Sequence, residues 1–210
     1  MNNINQLIVR SILAGIMIAL GGCALCGSGS YLVGSFLFSL GLIVILAKQF
    51  NLFTGKIGYV GQSTTLVQCG LIWFGNLLGI AIVALIVQQV NLSLSVYEVL
   101  LNKYDAISTL PILSIICSGI PCGMLMHIAA DNWNSTRDEQ EYIRKIVVTM
   151  LAVAAFIIGG FEHCIADMFY LLAADGNDLP LSNQAAFLLL VTVGNSIGGI
   201  TYRVLVDQAK

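Results

Sequence analysis

Apolar runs of membrane-crossing length follow one another along almost the whole chain, and polar residues fall into short bands between them. About 20 apolar residues carry a helix across the hydrocarbon core of a bilayer. The runs predict six helical spans, at about 7–25, 31–60, 64–90, 109–130, 146–172 and 185–206. The second and fifth are interrupted. The second is broken by Lys48-Gln49-Phe50-Asn51-Leu52-Phe53-Thr54-Gly55-Lys56, the fifth by Gly159-Gly160-Phe161-Glu162-His163. Non-helical backbone at membrane depth is tolerated only where protein buries it or water reaches it. Paired interruptions in matching places of two halves point to a permeation or binding site.

The halves match elsewhere too. Gly75-Asn76-Leu77-Leu78-Gly79 of the third span parallels Gly194-Asn195-Ser196-Ile197-Gly198 of the sixth, and Ala14-Gly15-Ile16 of the first is paired with Ser118-Gly119-Ile120 of the fourth. Each unit holds three spans, an odd number, so the second copy must run inverted. The expectation is an all-α membrane protein, residues 1–210 forming one domain of inverted 3+3 repeats, about 7–90 and 109–206. With the N-terminus in the cytoplasm, Arg10, Lys48, Lys56, Arg137, Arg144, Lys145, Arg203 and Lys210 fall on or near the inner side and only Lys103 outside. That distribution obeys the positive-inside rule. It places both termini in the cytoplasm of a multi-pass protein of the cell membrane. The first run has no cleavage site after a short apolar core, so it reads as a retained helix rather than a signal peptide.

Composition agrees: 58% of the 210 residues are hydrophobic and 10% charged, against roughly a quarter charged in soluble domains. The net charge of −2 gives no reason to expect a nucleic-acid partner. Cys23 and Cys26 have CxxC spacing without a second Cys pair or His nearby, so the six cysteines read as small apolar fillers. No metal cluster, nucleotide loop or catalytic triad is visible; no cofactor and no enzymatic activity are expected.

The chemistry lies at the fifth-span break. Ionisable residues at membrane depth are costly and are functional candidates by default. His163 is the foremost: a neutral imidazole is cheaper to bury than a charge, yet offers a hydrogen bond or a proton to a passing anion. Glu162 either serves the pore or caps the second half-helix. Asp167, one turn on, either accepts a hydrogen bond from His163 and sets its tautomer or faces a subunit contact. His127 reads as a satisfied packing histidine. Phe38 and Leu42 precede the first break, Leu52 and Phe53 lie in it, and Phe156 precedes the second. Aromatics flanking both breaks suggest apolar constrictions.

At these residues the chain resembles the formate/nitrite transporter family. Phe161-Glu162-His163-Cys164-Ile165-Ala166-Asp167-Met168-Phe169 is similar to its FEHSxANMF signature, Leu52-Phe53-Thr54-Gly55 to its LFTG loop, Val193-Gly194-Asn195-Ser196-Ile197-Gly198-Gly199 to TxGNxxGG, and Gly75-Asn76-Leu77-Leu78-Gly79 to GNLxG. The resemblance implies an aquaporin-like fold, a homopentamer with one pore per protomer, and small monovalent anions as substrates: formate, nitrite or hydrosulfide. It implies His163 as the pore histidine, Phe38, Leu42, Phe53 and Phe156 at constrictions, Thr54 in the loop, Met126 at the fourth-helix constriction and Asn195 as the polar residue of the sixth helix. Three positions depart from the pattern. Asp167 stands where the family has Asn, Gly123 where many members have Asn, and the vestibule lysine falls near Ile107, with Lys103 four residues earlier.

The reading is therefore a passive channel, most simply for formate, in which an anion drawn in through Lys103 loses its water at apolar slits and His163 assists its protonation. The alternatives are a nitrite or hydrosulfide channel of the same fold, or a proton-coupled secondary transporter using Asp167 and Glu162. A redox-enzyme membrane subunit is disfavoured, since the two histidines do not look like haem ligands.

Overall fold

The structure is a computed structural model that describes residues 3–90, 111–135, 141–174 and 180–209. It is helical: α1 (Asn3–Gly27), α2 (Tyr31–Ala47), a short α3 (Phe53–Lys56) running into a 3-10 turn (Ile57–Tyr59), α4 (Leu66–Gln89), α5 (Ile112–Asn134), α6 (Tyr142–Ile158), α7 (Cys164–Ala173) and α8 (Leu181–Gln208). Four of these among the described residues, α1, α4, α5 and α8, are long and apolar enough to cross a membrane. The helices run beyond the expected spans at several ends, α6 starting at Tyr142 and α8 reaching Gln208.

Local chemistry sets the starts. The Ser30 side chain accepts from the Val33 N–H at the head of α2. Thr65 and Gln68 form a reciprocal capping box at the head of α4, satisfying backbone donors that an open helix end leaves free. Pro111 stands immediately before α5, where it has no N–H to lose.

Leu40, Leu66, Leu85, Leu113, Ile143, Leu151 and Leu181 all lie exposed on the outside. In water such a surface would aggregate; against lipid tails it is at home. Inside, α1 packs closely on α4 and α5 on α8. The contacts are backbone to backbone. A Cβ on Gly15 would overlap the Asn76 carbonyl and one on Gly79 the Ile12 carbonyl; likewise Gly123 with Asn195 and Gly198 with Ile120. Small residues at crossings are how membrane helices gain close packing. These contacts correct the expected register of the repeat. Gly15 is matched by Gly123 rather than by Gly119, which occupies the place of Ser11, one turn earlier.

Candidate permeation site

Both breaks are built by the same backbone bonds. At the first, Gln49 N–H donates to Leu46 O at 3.2 Å and Phe50 N–H to Ile45 O at 2.8 Å. At the second, Gly160 N–H donates to Ile157 O at 3.2 Å and Phe161 N–H to Phe156 O at 3.0 Å. This pair of bonds ends a helix through a left-handed residue, here Gln49 with φ 55° and Gly160 with φ 68°. The next residue then crosses to the neighbouring long helix: Asn51 N–H reaches Arg10 O at 3.2 Å and Glu162 N–H reaches Ser118 O at 3.3 Å.

One asparagine holds each break. Asn76 Oδ1 accepts from Phe53 N–H at 2.9 Å, and its Nδ2 donates to Ser11 O and Asn51 O, both at 2.8 Å. Asn195 Oδ1 accepts from Cys164 N–H at 2.9 Å, and its Nδ2 donates to Gly119 O at 2.8 Å and Glu162 O at 2.9 Å. Both side chains are fully buried, and each bonds two backbone groups that the break sets free and one carbonyl of the neighbouring long helix. Asn195, expected to be a polar pore residue, therefore has its amide committed to the scaffold.

His163 stands at the N-cap of α7. Its Nδ1 accepts from Ala166 N–H at 3.0 Å, and its Nε2 lies 3.0 Å from Thr54 Oγ1 on α3. With Nδ1 an acceptor, the neutral ring carries its proton on Nε2, and the Thr54 hydroxyl accepts it. The Ala166 amide thus sets the tautomer, one of the two roles open to Asp167, and the imidazole caps α7, one of the two roles open to Glu162. Asp167 is buried in the first turn of α7, its N–H bonded to His163 O at 2.9 Å. The Glu162 side chain is nine-tenths buried, and its Oε2 has no hydrogen-bond partner among the described residues.

The aromatics gather around this ring. Phe156 stacks on His163 with centroids 5.6 Å apart and meets Phe38 edge-on at 5.9 Å. One turn along α2 from Phe38, Leu42 joins Leu52 and Met126 in lining a cavity of about 220 Å³, whose polar lining is Gln49, Lys56 and Asn134. Two successive layers result: Phe38, Phe156 and His163 with Thr54, then Leu42, Leu52 and Met126. The Phe53 ring is buried in the core and is not among the residues lining that cavity. Lys103 lies outside the described residues.

The chain's other histidine belongs to a separate cluster. His127 packs between Tyr59, at 4.6 Å, and Tyr202, at 5.9 Å. It is a packing histidine as expected, but not a satisfied one: neither ring nitrogen has a hydrogen-bond partner among the described residues. Beside it Asp131 accepts from Arg203 at 2.9 Å and from the Tyr59 hydroxyl at 3.2 Å, tying the segment after α3 to α5 and α8. Cys26, Cys69, Cys122 and Cys164 are buried, Cys23 is partly buried and Cys117 is exposed.

Comparison with known proteins decides the family. The family model described as formate/nitrite transporter matches residues 1–207. The chain belongs to the formate/nitrite transporter family. It is 27% identical to the formate channel FocB of Escherichia coli (strain K12), over 81% of this chain and 71% of that protein. It is 28% identical to the nitrite transporter NirC of the same strain, over 92% of this chain and 79% of that one. A solved pentameric formate channel with formate bound superposes with a TM-score of 0.81 at 24% identity, covering 98% of this chain and 96% of the other. Members of this family are transporters and channels, not enzymes, and the chain is accordingly a multi-pass membrane protein. The family's His, Leu-Phe-Thr and Gly-Asn elements fall on the two breaks and the two asparagines that hold them. At Gly123 a larger side chain would strike the Asn195 backbone, so the family's Asn has no room there.

Proposed function

We propose that this chain is a passive channel for small monovalent anions, formate foremost, in the cell membrane. Each of the two broken helices counts as one crossing, giving six, in a single domain of two inverted units spanning about 7–90 and 109–206. The end carrying Lys56, Arg144 and Arg203 faces the cytoplasm, as the positive-inside rule favours. Five protomers assemble, each with its own pore, as in the pentameric formate channel it superposes on.

One observation carries the reading: a buried neutral imidazole with Nε2–H on the Thr54 hydroxyl, layered with Phe38 and Phe156 and followed by Leu42, Leu52 and Met126. An apolar slit is prohibitive for a naked carboxylate, and a buried acid neutralises instead. A substrate oxygen that takes the place of Thr54 finds a fixed donor, which steadies the neutral acid where its water is gone. Lending the Nε2 proton outright would leave an imidazolate unless Nδ1 gave up its cap on Ala166 and took a proton. His163 thus assists chiefly as a donor, and the proton of the permeating acid comes from water at the mouth. Nitrite and hydrosulfide are also conjugate bases of small weak acids and fit the same arrangement.

Flux of formate, nitrite and hydrosulfide into liposomes, with and without a proton gradient, tests this. A passive pore equilibrates each substrate to the level set by pH and voltage. Accumulation beyond that level, abolished by collapsing the proton gradient, would instead support a coupled transporter working through Asp167 and Glu162.

A further inference from the structure

The two half-helices that follow the breaks open with the same backbone bond, although only the second has a side-chain cap. Lys56 N–H closes the first turn on Leu52 O at 3.1 Å, as Asp167 N–H does on His163 O at 2.9 Å. Lys56 and Asp167 therefore occupy the same position after the two breaks, one with an amine and the other with a carboxyl group. Lys56 is half-buried and is, among the described residues, the one charged residue lining the 220 Å³ cavity, alongside Leu42, Leu52 and Met126. Arg10 lies near enough to add to the positive potential there.

The described carboxylates at this end are engaged elsewhere. Asp131 and Asp207 take Arg203 at 2.9 and 3.0 Å, and Glu141 takes Arg144. Among the described residues no carboxylate lies within ion-pair distance of Lys56. A cation that borders a cavity without a counter-charge, with the Gln49 and Asn134 amides in the same wall, is a ready partner for an anion.

We infer that Lys56 forms an anion-binding site at this mouth of the pore, taking a carboxylate of formate size before it enters the Leu42–Leu52–Met126 slit. The site rests on the channel reading above and adds sidedness to it. The half-helix of the first break carries an ammonium bordering the cavity where that of the second carries a buried carboxyl group, so formate is gathered by the Lys56 side in its own way.

The test is formate flux through the full chain in right-side-out and inverted membrane vesicles, comparing wild type with Lys56→Met and Lys56→Arg at low and high salt. From the Lys56 side, Lys56→Met should raise the half-saturating formate concentration about fivefold at low ionic strength, and the difference should shrink at about 1 M salt, where exposed charges are screened within a few ångströms. Lys56→Arg should behave as wild type. Entry from the opposite side should be unchanged in both. If Lys56→Met fails to assemble, Lys56→Gln, which keeps a polar chain, replaces it. A conducting wild type whose half-saturation is untouched by Lys56→Met, or whose loss is equal from both sides, overturns the site and leaves the channel reading standing. A wild type that passes no small anion overturns the channel reading and the site with it.

Discussion

The two breaks, 48–53 and 159–164, share a skeleton and differ in what it presents. Each ends its first helix through a left-handed residue, crosses to a long neighbouring helix, and is held by one asparagine making three hydrogen bonds. Yet Leu52 stands where the other break has His163, Asn51 where it has Glu162, and Lys56 where it has Asp167. The shared skeleton is a way to open two helices without leaving their backbone groups unpaired. The chemistry sits in the residues that no longer match. One break offers a donor and a buried acid, the other an apolar slit and a cation.

The comparison is broken most severely at the asparagines. Asn195→Leu leaves Cys164 N–H and the Gly119 and Glu162 carbonyls without their partner. At about 1 kcal/mol for each buried group, the loss is about 3 kcal/mol. Asn76→Leu should cost a similar amount, since its three bonds are the counterparts. Thermal unfolding in mild detergent reads both, and equivalence of the breaks is wrong if one variant melts like wild type. Next in size is Phe156→Ala, which removes the ring lying on His163 and against Phe38. It should widen the slit and raise the permeability of larger carboxylates relative to formate by about tenfold, measured by competing acids in liposomes. An unchanged ratio would place the selective constriction elsewhere. The smallest effect sharpens the comparison. Gln49 holds φ 55° where its counterpart is Gly160, so Gln49→Gly should stabilise by up to about 1 kcal/mol and Gly160→Ala should destabilise by about as much, read as opposite shifts in melting temperature.

Much of this design is legible in the residues. Run lengths and interruptions place the helices, and the recurrent Gly-Asn elements carry the two asparagines that hold the breaks. The register between the first and fourth spans is not legible in the same way. Small residues recur every four positions there, Ser11 and Gly15 against Gly119 and Gly123, so a shift of one turn preserves the pattern while changing every contact. The cap on α7 is missed for a different reason. Ser, Thr, Asp and Asn are the usual N-caps, so a histidine beside a glutamate does not announce itself as one. Asn195 shows why a buried polar residue does not reveal its duty by type alone: its amide faces three backbone groups that only the fold brings together. Lys56 could be counted toward orientation from its position, but its cavity is formed by α2, the break and α5 jointly and has no local sequence sign.

The central claim is that the donor at the second break, and not the acid one turn beyond it, carries the permeating species. The direct measurement is the pH dependence of formate flux through liposomes holding wild type, His163→Asn or Asp167→Asn. Each unit of acidification above the pKa of the permeating acid raises its neutral share about tenfold, so wild-type flux should climb as pH falls. Loss of the Nε2 donor in His163→Asn should flatten that climb and cut flux about tenfold or more at the acidic end, with any residual flux following the anion gradient. Asp167→Asn, which places the family's residue beside an intact His163, should keep the wild-type profile. If His163→Asn follows wild type at every pH while Asp167→Asn is inactive, the histidine assignment is wrong and Asp167 carries the chemistry.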